Sequence, residues 1–574
     1  MTNNWIVKEL TTEESEQTEH LIKDLGISPI LCKLLVQRGI HTMEEAKNFF
    51  RPQLSQLHDP FLLNDMDKAV ARLNKAMRKK EKILIYGDYD VDGTTAVAVV
   101  YKFLQQFYSS IDSYIPDRYE EGYGISYKGI DYAAENGFSL LIVLDCGIKA
   151  IEKVRYAKEK GIDIIICDHH TPDEILPDAI AVLDPKRVDS TYPYPHLSGC
   201  GVGFKLIQAF AINNQIDFDN ITPFLDLLAV SIASDIVPIT GENRILMFFG
   251  LKQLNANPCV GLQAIIDVCG LRGKEITTSD IVFKIGPRIN ASGRMRSGNE
   301  AVELLVSKNL SFAKAKSDCI DQYNQERKDL DKKTTDDAKD FIQGNEDFEH
   351  RNSIVVYHPE WSKGVIGIVA SRLSELYHKP TIVLTLSNGF ATGSARSVTG
   401  FDIYKAIESC RDLLENFGGH MYAAGLTMKE DNVSIFTERF DNYVRENITE
   451  EQTQPQIDID AIIRFSDITP KFFNILQQFA PYGPENMKPI FATHKVTDFG
   501  SSRLVGKELE HLKLELTEPN SENVMNGIAF GMGEKFSAHI KDLKPIDICY
   551  TLEENVFNGN KTIQLMIKDM KINE

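Results

Sequence analysis

The sequence predicts an α/β protein that begins with a parallel, doubly wound sheet, continues into a second α/β domain and ends in a small β domain. In the first half of the chain, short apolar runs alternate with helix-prone stretches, which is the pattern of strands and crossover helices in a parallel sheet. Four of these runs have the length and composition of buried strands. They cover residues 82–86, 140–144, 163–167 and 179–183.

Helical patterns flank the predicted strands. The first 50 residues predict a small helical lead-in, and a basic amphipathic helix is expected over residues 69–80. Thr94 or Thr95 is expected to cap the helix after the first strand, because a threonine hydroxyl can accept a hydrogen bond from a free amide at a helix start. We expect the first domain to cover residues 51–308. Its further predicted helices cover residues 94–107, a stretch that ends at Lys160, and residues 223–234.

The polar, helix-prone stretch over residues 311–343 has two interpretations. It is either a long exposed helix that connects two domains, at residues 309–345, or an ordinary surface helix within one domain. A second alternating pattern follows and predicts another α/β domain over residues 346–448. Its predicted strands are 353–357 and 381–384, with helices from there to about residue 447.

A change of pattern ends this second domain. Residues 449–455 are polar and end in a proline, which favours a linker. Beyond it the pattern becomes strand-like, with alternating polar and apolar residues at 511–516 and 563–567. Such alternation is typical of strands, so a β-barrel or sandwich is predicted over residues 456–574.

Composition and charge exclude some classes of protein. The chain has 574 residues, 43% hydrophobic and 25% charged, which suits several folded domains. No apolar run reaches the about 18 residues of a transmembrane helix, and the first residues lack a signal-peptide pattern. Nine scattered cysteines without a C-x-x-C pair indicate neither a zinc knuckle nor a disulfide framework. We therefore expect a cytoplasmic protein with no membrane partner. The net charge of −19 argues against a protein that coats nucleic acid over its whole surface.

Three aspartates follow the first predicted strand at alternate positions, Asp88, Asp90 and Asp92. On a turn that leaves a strand, carboxylates at this spacing can converge on one point, where they repel each other unless a cation is bound. A polar turn that caps a helix is the simpler explanation, and a calcium loop is another. The calcium loop needs a glutamate at its twelfth position, where this chain has Val99, so the sequence disfavours it.

Other candidate ligands follow the next two predicted strands. Asp145 ends the second strand, and the run from Asp168 through His169 to His170 ends the third. An isolated aspartate at a strand end is usually a helix cap. However, ligands gather at the carboxyl ends of parallel strands, and three such ends with seven potential ligands favour a metal site. Asp235 ends an apolar helical run and is either the start of a turn or a fourth source of ligands.

The candidate ligands indicate the metal and the chemistry. Oxygen atoms with one or two imidazoles suit Mn²⁺ or Mg²⁺ better than Zn²⁺ in a site without thiolates. Two ions about 3.5–4 Å apart, bridged by a carboxylate, can activate water and stabilise the leaving oxygen in phosphodiester hydrolysis. A P-loop ATPase has no support, because the chain contains no G-x-x-x-x-G-K-[ST] motif.

Together these clusters resemble, in order and spacing, the four motifs of the DHH phosphoesterase superfamily. Residues 393–397 and 418–425 resemble the phosphate- and substrate-binding motifs of the DHH-associated domain. A further resemblance to the bacterial RecJ exonuclease family extends from about residue 50 to the C-terminus. It rests on residues 115–119, 286–295 and 481–486.

The resemblance implies an activity and a role for each motif residue. RecJ exonucleases degrade single-stranded DNA from the 5′ end to mononucleotides with Mn²⁺ or Mg²⁺, so two such ions are expected. Asp88 is implied either as a ligand or as a hydrogen-bond acceptor, and Asp168 as the partner that orients an imidazole. His170 would face the scissile phosphate as a stabiliser or an acid, unless it makes only a structural hydrogen bond. The implied metal ligands are Asp90, Asp92, Asp145, His169 and Asp235, with Asp145 as the bridge.

The resemblance also implies a pocket for the 5′ end of the strand. Ser394 and Arg396, two residues apart beside a glycine, suit a phosphate clamp, and Arg118 and Arg288 are expected to contribute. His420 follows two glycines, which would let it approach a phosphate closely. Taken singly, each of these arginines is more often part of a surface ion pair.

The C-terminal β domain resembles an OB-fold, which frequently binds single strands. Single-stranded DNA with a 5′ end is the implied partner, in DNA repair and recombination. A single-stranded-DNA-binding protein and a helicase are further candidate partners. The aromatic residues of this domain are expected in its core rather than as stacking platforms, and they are Phe472, Phe473, Phe479, Tyr482 and Phe491.

Two rival functions remain open at this point. A DHH phosphodiesterase that acts on cyclic dinucleotides or very short oligonucleotides would have the same metal site, although the chain length and the extra C-terminal domain argue against it. A non-catalytic replication scaffold would have lost metal ligands, whereas all of them are present in this chain.

Overall fold

The computed structural model describes residues 3–345, 347–541, 544–557 and 559–572. The chain divides into two compact units. One unit comprises Leu57–Val237 and Gly241–Pro455, and the other comprises Met1–Gln56, Pro238–Thr240 and Gln456–Glu574. Over the described ranges, no helix is both long enough and apolar enough to cross a bilayer.

The first domain contains a sheet of five parallel strands, and the doubly wound α/β prediction is confirmed. Its strands, in spatial order, are Ile111–Tyr114, Lys82–Gly87, Phe138–Leu144, Asp163–Cys167 and Ala181–Leu183. The four predicted runs all form strands, and one strand was not predicted. That strand, Ile111–Tyr114, lies at the edge of the sheet and is only half-buried, so its sequence lacks a continuous apolar run.

The helix after the first strand begins at Val91, three residues earlier than predicted. Asp90 is its cap, because its carboxylate accepts a hydrogen bond from the amide of Gly93 at 3.0 Å. The expectation that Thr94 or Thr95 caps this helix is wrong. Their hydroxyls instead donate back to main-chain carbonyls within the first turn. An aspartate of the predicted metal motif thus also starts the helix.

The α-helices of this domain cover both faces of the sheet and extend beyond it. A five-residue π-helix, Ile281–Ile285, precedes Gly286-Pro287. Proline cannot donate a backbone hydrogen bond and its ring clashes with the carbonyl four residues earlier, so the wider π turn accommodates Pro287. The helices are Met66–Lys79, Val91–Leu104, Tyr127–Glu135, Ile151–Glu159, Gly199–Asn213, Leu225–Ser234, Gly241–Ala256, Val260–Val268, Thr278–Asp280, Gly286–Met295 and Gly298–Val306.

A single 34-residue helix, Leu310–Gln343, follows and is the predicted connecting helix. Asn309 caps it by accepting hydrogen bonds from two amides of the first turn. The helix contacts both α/β domains. Asp321 pairs with Arg288 of the first domain at 2.7 Å, and Asp331 pairs with Arg372 of the second domain at 2.7 Å. The connecting interpretation therefore holds over the alternative of a helix within one domain.

The second α/β domain has a mixed sheet of five strands. In spatial order they are Leu414–His420, Ala423–Met428, Phe390–Arg396, Thr381–Ser387 and Ile354–Tyr357, and only the last pair is parallel. The sequence predicted helices in place of three of these strands, because their glycine-rich segments lack the apolar runs of buried strands. The α-helices are Asp347–His350, Ile366–Tyr377, Ile403–Glu408 and Val433–Asn447.

The other unit contains the predicted C-terminal β-barrel. Phe491–Asp498 pairs with Ile546–Phe557 and also with His511–Thr517, which closes the sheet into a barrel. Of the five aromatic residues expected in the core, Tyr482 is only partly buried against it. The other four are buried there, as expected: Phe472, Phe473, Phe479 and Phe491. The seven strands, in order, are Ala461–Ile462, Phe491–Asp498, Ile546–Phe557, Asn560–Ile572, Val524–Ala529, His511–Thr517 and Arg503–Val505, with helices Pro470–Gln477 and Gly533–Lys541.

The helical lead-in belongs to the same unit as this barrel. Strand Asn4–Val7 pairs in parallel with Gln456–Ile459. Leu21 and Leu31 are fully buried in one apolar core with Phe491 of the barrel. The lead-in helices are Thr12–Leu25, Pro29–Val36 and Met43–Phe50.

Candidate metal centre and phosphate pocket

The three alternating aspartates lie on a tight turn at the carboxyl end of strand Lys82–Gly87. Gly93 is required there, because a Cβ atom at this position would lie 2.4 Å from the carbonyl oxygen of Asp88. Asp88 and Asp92 are each 1% exposed. The backbone thus folds back on itself and brings the carboxylates of one short segment to the edge of the sheet.

Asp92 is held by the start of helix Gly199–Asn213. Its two oxygens accept hydrogen bonds from the amides of Gly199 at 2.6 Å and Cys200 at 2.8 Å, and from the Ser231 hydroxyl at 2.6 Å. Free amides at a helix N-terminus stabilise a negative charge. A Cβ atom at Gly199 would lie 2.5 Å from Asp145, so the glycine lets these two aspartates approach. Neither Gly199 nor Ser231 belongs to a motif that is recognisable in the sequence.

His169 lies among three carboxylates from three different elements. Its Nε2 atom is 3.2 Å from Asp145, 3.5 Å from Asp235 and 3.8 Å from Asp92. Two overlapping groups have the geometry to hold a metal ion: Asp92, His169 and Asp235, and Asp145, His169 and His170. The structure therefore brings together candidate ligands from the first, second and third strand ends and from the helix that ends at Ser234.

Helix Leu225–Ser234 is positioned by the helix that follows the π turn. A Cβ atom at Gly286 would lie 2.6 Å from the Ser234 hydroxyl, so the two helices pack closely just before Asp235. Asp235 is the C-cap residue that directly follows this helix, and its amide donates to the Ser231 carbonyl at 2.9 Å. The glycine of the predicted Gly286-Pro287 motif thus helps to place a candidate ligand.

Several buried polar atoms of this cluster make no hydrogen bond with any described residue. They are one carboxylate oxygen each of Asp88, Asp145 and Asp235, and both ring nitrogens of His169. Buried carboxylates without partners are costly and rare in native proteins. A divalent cation would use these atoms as ligands, and the predominance of oxygen suits Mn²⁺ or Mg²⁺. The residues present therefore fit the metal that the sequence predicts.

The titration of these side chains points in the same direction. Burial, with the charges of neighbouring aspartates, raises the pKa values of Asp88, Asp145 and Asp235 well above the usual value for aspartate. Burial lowers the pKa of His169 to about 4, so its imidazole is neutral and can act as a ligand. This cluster has an excess of negative charge, which a bound cation would offset.

His170 points to a different partner. Its Nδ1 atom is 2.7 Å from Asp168, whose carboxylate also accepts hydrogen bonds from the amides of His169 at 2.7 Å and Ile148 at 2.9 Å. Burial alone would raise the pKa of Asp168, but the hydrogen bond and charge of His170 lower it to about 2. Asp168 is thus an anion that orients His170. The hydroxyl of Tyr123, which the sequence analysis did not single out, lies 3.2 Å from Nε2 of His170.

Asp88 keeps both roles that the sequence left open. One of its oxygens accepts a long hydrogen bond, 3.4 Å, from the Gly124 amide, and the other makes none with a described residue. The oxygen that accepts from Gly124 suits a role as a hydrogen-bond acceptor, and the oxygen without a described partner suits a role as a metal ligand.

A cluster of positive charge faces this site from the second domain. Arg396 donates to the hydroxyls of Ser371 at 3.1 Å and Ser394 at 3.0 Å. It also lies against the start of helix Ile366–Tyr377, since a Cβ atom at Gly367 would lie 3.3 Å from its guanidinium. A guanidinium, two hydroxyls and a helix N-terminus together form a suitable site for phosphate.

Two arginines of the first domain contribute to this cluster. The Arg118 guanidinium lies 4.0 Å from the centre of the Tyr89 ring, and its buried Nε makes no hydrogen bond with a described residue. Arg294 donates to the carbonyl of Gly364 at 2.9 Å. Burial lowers the pKa of Arg294, and the charges of Arg118 and Arg396 add to that shift, whereas Asp90 opposes it. Arg294 is therefore within electrostatic range of both the metal centre and the phosphate pocket.

Arg288, which the sequence analysis assigned to substrate binding, is engaged elsewhere. Its guanidinium pairs with Asp321 at 2.7 Å and donates to the carbonyl of Lys284 at 2.9 Å. Arg294 follows six residues later in the same motif, about 120° around the helix from Arg288. Arg294 is thus the arginine of this motif that contacts Gly364 of the second domain, whereas Arg288 contacts the connecting helix. A helical projection of residues 286–295 could have separated the two.

His420 lies at the end of strand Leu414–His420, in a hairpin of the second domain, and is exposed. Burial of its ring, and then the positive charges of His170, Lys149 and Lys186, lower its pKa. The hairpin thus brings His420 within electrostatic range of His170.

Family models match three parts of the chain. The DHH family, N-terminal domain, matches residues 82–232, the DHHA1 domain matches 351–446 and the RecJ OB domain matches 459–569. These segments coincide with the first sheet, the second α/β domain and the β-barrel.

Curated relatives match over almost the whole chain. The single-stranded-DNA-specific exonuclease RecJ of Bacillus subtilis is 35% identical over 99% of this chain and 71% of its own length. The protein of the same name from Escherichia coli is 31% identical over 98% of this chain and 99% of its own length.

Solved structures give the same result. The crystal structure of RecJ from Thermus thermophilus in complex with Mn²⁺ has a TM-score of 0.84 at 26% identity and covers 100% of this chain and 80% of that one. A second structure, of exonuclease RecJ bound to manganese, has a TM-score of 0.59 at 30% identity and covers 70% of this chain and 98% of that one. The chain therefore belongs to the RecJ family of single-stranded-DNA-specific exonucleases.

Proposed function

We propose that this chain degrades single-stranded DNA from its 5′ end and releases mononucleotides, by hydrolysis at a two-metal centre. As a RecJ exonuclease it is a metal-dependent nuclease, and Mn²⁺ or Mg²⁺ is its cofactor. One observation carries the finer proposal. Arg294, on helix Gly286–Met295 of the first domain, donates to the Gly364 carbonyl at 2.9 Å, just before helix Ile366–Tyr377, whose start lies against Arg396.

The metal centre supplies the chemistry of this proposal. Bound cations would polarise the scissile phosphate and lower the pKa of the attacking water. The residues proposed to hold them are Asp90, Asp92, Asp145, His169 and Asp235, with Asp145 as the bridge and Asp88 as a ligand or an acceptor. The unpaired oxygens of Asp145 and Asp235 support this assignment.

His170 is proposed to act on the phosphate itself. Burial alone would lower the pKa of His170, but the hydrogen bond from Nδ1 to Asp168 and the charge of Asp168 raise it. In the protonated imidazole, Nε2 is then the nitrogen left to donate a hydrogen bond to a phosphate oxygen. A donor in that position stabilises the charge that develops on the phosphate during hydrolysis. The two neighbouring histidines thus have separate roles, one at the metal and one at the substrate.

The phosphate pocket is proposed to determine which end is cut. Arg118, Arg294, Arg396 and Ser394 would hold the terminal 5′ phosphate, with His420 at the side of the metal centre. A terminal phosphate held there would place the next phosphodiester at the metals, so each cut would release one nucleotide. Arg288 is left out of this set, because Asp321 engages its guanidinium.

Single-stranded DNA is the partner of the chain, as its family and its OB domain indicate. We further propose a cytoplasmic location and a role in DNA repair and recombination. A helicase and a single-stranded-DNA-binding protein are proposed partners, since they would expose and hold single strands. The cysteines of the chain are all unpaired thiols, which suits a reducing compartment.

The test compares substrates that carry a label at the 5′ phosphate. We expect labelled mononucleotide from single strands with Mn²⁺, and little release from blunt duplexes or cyclic dinucleotides. Cleavage that begins at the 3′ end, or internal cuts that release longer labelled products, would contradict the proposed polarity. Faster hydrolysis of cyclic dinucleotides than of single strands would contradict the proposed substrate.

A further inference from the structure

Tyr123 lies in the loop between strand Ile111–Tyr114 and helix Tyr127–Glu135, and it is 50% exposed. The glycines on either side, Gly122 and Gly124, have φ values of 81° and 79°, in the left-handed region that favours glycine. Neither glycine is needed for space, because a Cβ atom at Gly122 would meet nothing within 4 Å and one at Gly124 would only touch Cys146. The glycines therefore serve the backbone conformation that turns the Tyr123 side chain toward the metal centre.

The hydroxyl of Tyr123 has a fixed anchor. It donates a hydrogen bond to the main-chain carbonyl of Asp145 at 3.0 Å. Asp145 itself has a φ of 59°, an uncommon value for a residue with a side chain, and its carboxylate points into the metal centre. Tyr123 is thereby tied to the backbone of a proposed metal ligand.

The same hydroxyl braces the ring of His170. Its oxygen lies 3.2 Å from Nε2 and 3.4 Å from Nδ1. A position so nearly equidistant from both nitrogens lies over the face of the imidazole and not in its plane along an N–H bond. The two rings meet edge to face, with centres 5.8 Å apart. On its other side Tyr123 meets the Tyr89 ring, with centres 6.4 Å apart.

His170 needs a second contact to have one orientation. The hydrogen bond from Nδ1 to Asp168 fixes that nitrogen but leaves the ring free to tilt about it. A second contact, against the face of the ring, removes this freedom. The hydroxyl proton of Tyr123 is given to the Asp145 carbonyl, so its oxygen packs on the ring and leaves Nε2 free for the phosphate. Misplacement of a group that acts on the substrate by even about 1 Å can slow a reaction by as much as 10²-fold.

We propose that Tyr123 is a positioning residue for His170. The Tyr123 hydroxyl is fixed by its hydrogen bond to the main-chain carbonyl of Asp145, and it holds in place the imidazole that meets the scissile phosphate. This inference rests on the proposed role of His170 and adds the residue that orients it. Tyr123 contacts the proposed ligand Asp145 at its main-chain carbonyl and not at its carboxylate, so loss of the Tyr123 hydroxyl should leave metal binding intact.

The decisive experiment is a double-mutant cycle of Tyr123→Phe and His170→Ala in the full chain. Tyr123→Phe keeps the ring and removes the hydroxyl. We expect kcat for release of mononucleotides to fall about three- to tenfold, the equivalent of one hydrogen bond, with KM changed less than about twofold. In the His170→Ala background the same substitution should have no further effect, because the residue it positions is gone.

Tyr127→Phe is the matched control. Tyr127 is 49% exposed, begins the helix after the same loop, and its ring meets the Tyr156 ring edge to face. Its ring packs against a residue of helix Ile151–Glu159 and it has no proposed role in the reaction, so removal of its hydroxyl should leave kcat and KM unchanged.

A readout that needs no activity separates this inference from the proposed function. In ¹³C-histidine NMR spectra of the Mg²⁺-loaded chain, with His170 assigned from the His170→Ala variant, the His170 signal should shift or broaden in Tyr123→Phe and stay unchanged in Tyr127→Phe. An unchanged signal would overturn the inference, as would an equal loss of kcat in both backgrounds or a loss confined to KM. A wild-type chain without activity on single strands would instead overturn the proposed function.

Discussion

The metal centre and the phosphate pocket lie in one compact unit and bury charges of opposite sign. In the metal centre, burial raises the pKa values of Asp145 and Asp235, because carboxylates are crowded without enough positive charge. In the phosphate pocket, burial lowers the pKa values of Arg294 and Arg396, and the positive charge of Arg118 adds to the shift of Arg294. Each region lacks the charge that its proposed ligand would bring.

From this contrast we expect hydrolysis at the metal centre and recognition of the 5′ end at the phosphate pocket to be separable by mutation. A cation completes the first region and a terminal phosphate completes the second, so damage to one should leave binding at the other. Variants that change one charge at a time test whether each region can be impaired without loss of the other.

The largest effect is expected for Asp145→Asn. Asparagine tolerates the left-handed backbone at this position, so the fold should persist while a ligand charge is lost. We expect kcat for Mn²⁺-dependent release of nucleotides from single-stranded DNA to fall about 10³-fold or more. Binding of a 5′-phosphorylated strand should remain in a filter-binding assay. Activity equal to wild type would remove Asp145 from the metal centre.

The next effect concerns stability. A ligand that binds only the folded state at 100 times its Kd stabilises that state by about 2.7 kcal/mol. We expect Mn²⁺ at that excess to raise the unfolding temperature of the wild-type chain and to have little effect on Asp145→Asn. Asp178→Asn is the control, since Asp178 is an exposed partner of Lys158 and should respond as wild type does. Equal stabilisation of all three chains would place the ion elsewhere.

The phosphate pocket is tested by Arg294→Ala beside Arg288→Ala. Loss of a charge-assisted hydrogen bond to phosphate costs about 1.5–3 kcal/mol, or roughly 10- to 100-fold in the preference for 5′-phosphate over 5′-hydroxyl ends. We expect that loss in Arg294→Ala, measured as the ratio of kcat/KM for the two kinds of end. Arg288→Ala should keep the preference, because its guanidinium pairs with Asp321. The reverse result would restore Arg288 to the pocket and remove Arg294.

The smallest effect depends on pH. Lys363 precedes Gly364, the residue whose carbonyl binds Arg294, and burial together with the charge of Arg118 lowers its pKa. A lysine with a lowered pKa loses its charge earlier as the pH rises, so the attraction for a terminal phosphate should weaken toward alkaline pH. We expect KM for 5′-phosphorylated strands to rise by about threefold, roughly the loss of one exposed ion pair. Lys363→Met should have the higher KM at all pH values and no such rise.

Much of the first domain could be predicted from sequence, because buried strands and convergent ligands leave local patterns. The runs at 82–86 and 140–144 are apolar, and the aspartates that follow them stand at the strand ends where the structure has them. Strand Ile111–Tyr114 was missed because an edge strand needs no apolar run. Three of the five strands of the second domain were missed because their glycines mask the alternation of side chains.

Other features could not be predicted from local pattern. Whether Arg288 or Arg294 lies toward the second domain depends on which face of helix Gly286–Met295 is turned that way. Tyr123 belongs to no predicted motif, and its contacts with Asp145 and His170 arise only when three loops meet. The start of helix Val91–Leu104 was misplaced because Asp90 has two roles, as a candidate ligand and as a cap.

The pairing of Asn4–Val7 with Gln456–Ile459 has a consequence for how the chain folds during synthesis. The helices of the first 56 residues leave the ribosome early, but the core that covers Leu21 and Leu31 includes residues of the barrel. The 400 residues that separate Gln56 from Gln456 take on the order of 20 to 80 s to translate. During that time the apolar surface of these helices stays exposed. A chain truncated before the barrel would keep that surface exposed, so we expect it to depend on chaperones.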